Sequence, residues 1–318
     1  MHLPWLFATR CSLLAVRYSL FATRCSLFAA LLLSSCASPY LAQRQFTNVV
    51  PQGAKTIAVI GDQQRTSWLE FWKESNTEHA QVVTNAMLKK PDALLLLGDH
   101  VFWSSSKADW QFFDEIMQPV NNAGIPVFPL FGNHEYFGNH DVGLQNIQSR
   151  FAAARTTWYR WDADSVAYIM LNSNWHDIGE DSTLLQRSWF EDQLVACEND
   201  VTIRAIVVSS HHPPFTNSTV VRDDITARDE FVPLFVRTRK GQLWLSGHCH
   251  ALEMFEQNGK RFIVSGGGGG PRQKLHTGVD ARYQDKLSAG SVRPLHSLVL
   301  TRNGDSISVV VDSLTSTH

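Results

Sequence analysis

Four times in this chain an apolar run of strand length leads to a glycine, and each time the next residue carries a polar side chain with lone pairs to offer. The runs 57–60, 93–97, 127–131 and 243–245 lead into Gly61 and Asp62, Gly98 and Asp99, Gly132 and Asn133, and Gly247 and His248. A fifth run, 203–208, leads into His211 and His212, and a sixth spans 166–171. Runs that are apolar at every position predict strands buried on both faces. A glycine at the strand end lets the chain turn sharply, so the following side chain projects into a crevice instead of the core.

Helical spacing fills the intervals, over 68–88, 110–120, 144–153 and 184–197. Strands alternating with helices predict a layered α/β fold. Towards the C-terminus the runs 253–256, 261–265, 297–301 and 306–311 are joined by turns at Asn258 and Gly259 and at Asn303 and Gly304, which predicts hairpins in a second sheet. The stretch 266–294 is too long for a simple connection and opens with five glycines, 266–270, which by composition alone read as a linker.

The first 35 residues read as a targeting segment. Arg17 and Arg24 precede a short apolar stretch, 26–33, then Ser34, Ser35 and Cys36. That stretch falls short of the roughly 20 residues that span a bilayer. The sequence Leu33, Ser34, Ser35, Cys36 resembles the lipobox of bacterial lipoproteins, which implies cleavage before Cys36, acylation of that cysteine and an exported, membrane-anchored protein. Residues 36–54, with Pro39, Pro51 and Gly53, read as a tether, and 55–318 as one folded domain. Only Cys197 and Cys249 remain in that domain, too few for a disulfide framework, so both are expected as packed thiols. Without the leader's three arginines the formal charge moves from −2 to −5. A mildly acidic body with no basic run argues against nucleic acid as a partner.

Each strand-end residue taken singly has an ordinary explanation as a helix cap or a hydrogen-bonded core residue. Taken together, Asp62, Gln64, Asp99, Asn133, His134, His211, His248 and His250 fall at the C-terminal ends of predicted strands, where open α/β sheets bind ligands. Burying so many polar groups without a counter-charge is costly. No Gly-x-Ser-x-Gly elbow and no Gly-Lys-Ser/Thr phosphate loop occurs.

In this order the motifs resemble those of the calcineurin-like metallophosphoesterase superfamily, over about 55–250 and onward to the C-terminus. The resemblance implies a four-layer α/β/β/α sandwich of two mixed β-sheets. It also implies hydrolysis of phosphate mono- or diesters at a dinuclear centre with a bridging hydroxide. By the same mapping, one metal site takes Asp62, Asp99 and His250, the other takes Asp99, Asn133, His211 and His248, and Asp99 bridges. His211 is preferred to His212 because the family's motif is often His-x-Pro, which Pro213 completes. His134, next to Asn133, corresponds to the general acid, oriented by Glu135. Gln64 stands where the common pattern has histidine, a variant some members carry, and its neutral amide is a weaker ligand or only a supporting group. Phe102 occupies the place of an iron-ligating tyrosine in purple acid phosphatases, so a coloured iron centre is not expected.

The expected cofactors are two divalent ions, Mn, Fe or Zn, and the expected substrate is a small phosphorylated molecule. The resemblance also places a glycine-rich turn near the metal centre at 266–270, after a strand, and Arg272, Lys274 and His276 beyond it are candidates to touch the substrate; Asn172 and Asn174 read as buried asparagines satisfying a turn, or as supports of the site. Trp103, Trp158 and Trp175 read as core or rim, and His100 as a support to Asp99 or a surface residue. The rival readings are a metal-binding lipoprotein with little or no turnover, which Gln64 motivates, and an exported nuclease, which the acidic body disfavours.

Overall fold

Along each central strand, alternate residues face two different cores. In β2 (Ala93–Leu96), Ala93 and Leu95, together with Leu97 just beyond, point between two sheets, whereas Leu94 and Leu96 point at helices. The same alternation holds in β1 (Thr56–Ile60), with Ile57 and Val59 facing one way and Ala58 and Ile60 the other. This period of two with both faces covered is why the strands read as unbroken apolar runs.

The computed structural model describes residues 38–66, 78–287 and 290–314. The leader 1–35, Cys36 and the first part of the helix expected over 68–88 lie outside the described residues. One sheet has the order β11-β10-β1-β2-β3, where β3 is Val127–Pro129, β10 His296–Asn303 and β11 Ser306–Ser313. The other has the order β4-β5-β6-β7-β9-β8, comprising β4 (Tyr159–Ala163), β5 (Val166–Leu171), β6 (Ala205–Ser210), β7 (Gly241–Ser246), β8 (Leu252–Gln257) and β9 (Lys260–Ser265). The chain runs parallel through β1, β2 and β3, and through β5, β6, β7 and β9, with antiparallel strands outside. Helices α1 (His79–Leu88), α2 (Lys107–Ile116), α3 (Gln118–Asn122) and α4 (His140–Arg150) belong to the first sheet. The helices α5 (Trp175–Ile178), α6 (Glu180–Asn199) and α7 (Val232–Val236) belong to the second. The result is the expected four-layer sandwich of two mixed sheets.

Three departures from the sequence reading have physical causes. The two C-terminal hairpins do not share a sheet: β8–β9 closes the six-stranded one and β10–β11 the five-stranded one, because β10 pairs with β1. Strand β4 went unread because its sequence alternates. Trp161 points inward, stacked between Phe128 (3.8 Å) and Tyr168 (4.2 Å), while Arg160 and Asp162 pair with each other outside.

The third departure concerns residues 39–54, expected as a tether. From Tyr40 onward they dock on the body. Phe46 is buried against Phe151, its N–H donates to the Arg150 carbonyl (2.6 Å), and Val127 N–H donates to the Thr47 carbonyl (3.0 Å). Arg150, fully buried, makes a two-pronged ion pair with Asp114 (2.8 and 2.7 Å) and donates to the Tyr40 carbonyl (3.0 Å). Sparse apolar residues between prolines gave no periodicity to read. Among the described residues no helix is long and apolar enough to cross a membrane.

Candidate metal centre

Parallel strands present their C-terminal ends on one side, and here the ends of β1, β2, β3, β6 and β7 deliver the polar residues to one edge. Asp62, Asp99 and His248 all adopt left-handed backbone angles, φ 59°, 53° and 64°, next to strand-end glycines. Non-glycine residues pay for that conformation, and such strain gathers where a site requires it. The glycines admit close approach. A methyl group at Gly98 would lie 2.6 Å from His211 Nδ1, and one at Gly132 would lie 2.2 Å from Asp99 Oδ1.

The two sheets meet through this edge. The His248 N–H donates to both carboxylate oxygens of Asp62 (2.9 and 3.0 Å), and Asp62 N–H donates to the Gly98 carbonyl (3.2 Å). His211 Nδ1 lies 2.7 Å from the Leu97 carbonyl, which can only accept, so Nδ1 carries a proton. Its Nε2 then faces Asn133 Oδ1 at 3.2 Å and Asp99 Oδ2 at 3.3 Å. His250 is held likewise, Nδ1 donating to the Pro271 carbonyl (2.9 Å) while Nε2 lies 3.5 Å from Asp62 Oδ1 and 3.0 Å from Gln64 Nε2. The other amide atom, Gln64 Oε1, is buried without a partner. Two sets of potential ligand atoms converge within 4.8 Å: Asp62, Asp99 and His211, and His211, His212 and His248.

His134 lies beside this cluster, its Nδ1 donating to the Phe102 carbonyl (2.7 Å), its own N–H donating to Asp99 Oδ1 (3.0 Å), and its Nε2 3.8 Å from Asp99 Oδ2. The expectation that Glu135 orients it is corrected. The buried Glu135 carboxylate accepts from the backbone N–H groups of Asp99 (2.8 Å), His100 (2.8 Å) and Gly132 (2.7 Å), so it braces the strand ends and Phe102 orients His134. His100 is buried between Phe113 and Phe151 rather than at the surface. The five glycines form a turn packed against the cluster, as their place after a strand suggests, and not the linker that composition alone would allow. Gly268 N–H donates to the Gly61 carbonyl (2.7 Å), Gly270 N–H to the Asp62 carbonyl (2.9 Å), and a methyl at Gly266 would lie 2.7 Å from Asp62 Oδ2.

Lys274 and His276 pair through their backbones with Thr219 and Asn217. Asn174 donates to the Phe131 carbonyl (2.9 Å) and Asn172 to Tyr136 Oη (2.7 Å), which ties the two sheets' loops together. The residue sequence reasoning set aside is His212. Its Nδ1 meets Ser173 Oγ at 2.9 Å and its ring lies 4.4 Å from that of His248, so both members of the histidine pair reach the cluster. Cys249 and Cys197 are buried and unpaired, and burial raises both thiols.

Burial pushes Asp62 well above the usual carboxylate range, and Asp99 adds to this by repulsion. Burial acts the same way on Asp99, but His211 and then His134 more than offset it and hold Asp99 well below that range. Burial lowers His211, yet the Asp99 carboxylate brings it up to about 9. Burial takes His212 down to about 3, His250 to about 4 and His248 well below its ordinary value. Neutral imidazoles are the form that binds metal.

Two buried carboxylates, two amides and four imidazoles at the shared edge of an α/β sandwich make a donor set suited to divalent cations with mixed oxygen and nitrogen coordination. A model of the calcineurin-like phosphoesterases matches residues 55–252, and the chain belongs to that family. Over 237 residues it is 22% identical to tartrate-resistant acid phosphatase type 5 of Mus musculus, covering 64% of this chain and 66% of that protein, slightly under two thirds of its length. Among solved structures, GAP50, the anchor in the inner membrane complex of Plasmodium, superposes with a TM-score of 0.59 at 15% identity over 81% of this chain and 84% of its own. Purple acid phosphatase PPD1 from yellow lupin seeds gives 0.57 at 14% identity over 84% and 52%. A dimetal phosphatase from Danio rerio gives 0.52 at 13% over 83% and 100%. At such identities the likeness to these structures is one of fold.

Proposed function

We propose that this chain hydrolyses phosphate esters, with one cation held by Asp62, Asp99 and His250 beside Gln64, and a second by Asp99, Asn133, His211 and His248. The observation that carries this is His211. With Nδ1 committed to Leu97, its Nε2 faces two oxygens at 3.2 and 3.3 Å, an arrangement that needs a positive charge between them. Without a cation, only protonation of the ring supplies that charge. Buried, unpartnered Gln64 Oε1 is a further donor awaiting an acceptor of electrons.

Two divalent cations, Mn, Fe or Zn, would supply the charge that polarises the phosphoryl oxygens and acidifies the attacking water. The residues of the chain do the rest. Asp99 lies between both groups of donors, and Glu135 keeps its backbone in the strained turn. His134, with Nδ1–H turned to Phe102, acts in its imidazolium form, giving the Nε2 proton to the departing oxygen as the P–O bond breaks and the water oxygen bonds to phosphorus. No residue need become covalently phosphorylated.

The test is turnover of 4-nitrophenyl phosphate and bis(4-nitrophenyl) phosphate by the purified chain with Mn²⁺, Zn²⁺ or Fe²⁺, beside Asp99→Asn and His134→Ala. Metal-dependent hydrolysis is expected, falling about 10²–10⁴-fold in His134→Ala. Hydrolysis of neither ester with any metal would sink the reading. A non-catalytic metal-binding protein is the second reading, supported by glutamine at position 64. Metal binding without turnover would favour it.

The further parts of this reading are a small phosphorylated substrate, no nucleic-acid partner, and export with a lipid anchor at Cys36. Loss of acyl labelling in Cys36→Ala, in a bacterial host, tests the last.

A further inference from the structure

Among the described residues, Trp103 and Phe137 are the only exposed aromatic side chains, at 46% and 38%. They are neighbours, with ring centroids 6.3 Å apart and planes at 61°, and they stand at the edge of the candidate centre. Phe137 lies 4.5 Å from the His134 ring, whose other neighbour is Phe102 at 4.9 Å. The proton donor of the proposed reaction thus sits in an aromatic bracket whose outer wall faces solvent.

That wall is rigidly built. Ser104 donates to the Phe137 carbonyl through both its N–H (3.2 Å) and its hydroxyl (2.5 Å), and Asn139 N–H donates to Ser105 Oγ (3.2 Å), which stitches the loop after β2 to the loop after β3. Gly138, at φ 94°, lets the indole lie over its backbone, where a methyl group would come 2.3 Å from Trp103 Nε1. The two rings touch edge to face at 61° and leave an exposed corner, a notch, beside them, and an aromatic ring laid in that corner makes one stacked and one edge contact. Exposing such surface costs solvation free energy that a ligand recovers.

We propose that Trp103 and Phe137 form the leaving-group subsite, and that the alcohol released from the phosphate ester carries a flat apolar ring, aryl or heteroaryl. This rests on the hydrolytic reading, because it is the role of His134 that puts the leaving group beside the notch. Trp103 and Phe137 select the substrate and take no part in bond breaking.

Phenylphosphonate and methylphosphonate titrated calorimetrically into the Mn²⁺-loaded chain test this. The phenyl compound is expected to bind about tenfold tighter. That ratio should fall towards one in Trp103→Ala and in Phe137→Ala and persist in Trp103→Tyr, which separates loss of the ring face from misfolding. A ratio near one in the native chain, a ratio unchanged in both alanine variants, or binding of neither phosphonate overturns the proposal. Turnover of phenyl phosphate is followed in the same samples. The expected ratios without turnover would leave the notch standing and remove the hydrolytic reading, whereas turnover with a ratio near one does the reverse.

Discussion

The backbone N–H of His248, at the end of a strand in one sheet, reaches both carboxylate oxygens of Asp62, at the end of a strand in the other, at 2.9 and 3.0 Å. One carboxylate therefore joins the sheets and faces the candidate centre, where burial and Asp99 disfavour its charge. Asp62→Asn should leave the metal-free chain about as stable as before, since the amide keeps an acceptor and removes the repulsion. Saturating Mn²⁺, at about 100 times Kd, should stabilise the native chain by about 2.7 kcal/mol and the variant by far less. Thermal melts with EDTA and with Mn²⁺ measure both, and equal stabilisation of the two chains would count against Asp62 as a ligand.

Gly98→Ala places a methyl group 2.6 Å from His211 Nδ1 and 2.7 Å from Gly132 N, at a backbone φ of 92°. Stability should fall by about 2–3 kcal/mol and metal affinity should fall with it. Gly259→Ala, at φ 72° in the β8–β9 turn with no atom near the added carbon, should cost about 1 kcal/mol and leave metal binding alone. Isothermal titration beside denaturant melts separates steric loss at the centre from general backbone strain.

Arg150→Met removes the buried partner of Asp114 and the donor to Tyr40. About 3 kcal/mol of stability should be lost, and limited proteolysis should newly cut near residues 40–46, because their anchor is gone. An unchanged cleavage pattern would mean that Phe46 alone holds the segment.

Glu253 is buried and accepts from Thr216 Oγ (2.5 Å) and Asn217 N–H (2.7 Å), and burial brings its carboxyl up to about 7. A folded-state value above the unfolded one means the folded protein holds the proton more tightly. This contribution to stability is complete below the unfolded value of 4.5 and is lost as pH rises through about 7. It amounts to about 3 kcal/mol. Relative to the native chain, Glu253→Gln should gain stability steadily between pH 5 and 7.5. A difference between the two that does not change with pH in denaturant titrations would contradict the burial argument.

Much of this molecule was legible in order along the chain. Runs such as 93–97 and 166–171 declare doubly buried strands because no position is spared from an apolar neighbour. A glycine before Asp62, Asp99, Asn133 and His248 announces a sharp turn that swings a donor outward. Those are local properties, set by backbone sterics and burial, and they predict a layered α/β fold with donors at its strand ends; the four-layer sandwich followed from the resemblance of the ordered motifs to a known family.

What residue order left open was settled by distances between parts remote in the chain. Glu135 bonds to backbone amides near Asp99 instead of to its neighbour His134, and Phe102, 32 positions away, takes that task through its carbonyl. By composition alone the five glycines look like slack until Gly266 and Gly270 pack against Asp62 and His250. The stretch 39–54 looks unattached until Arg150 and Phe151 meet Tyr40 and Phe46. The reason is the same in each case. Hydrogen bonds and packing are short-ranged in space and blind to separation along the chain, so only the tertiary structure decides which partners they find.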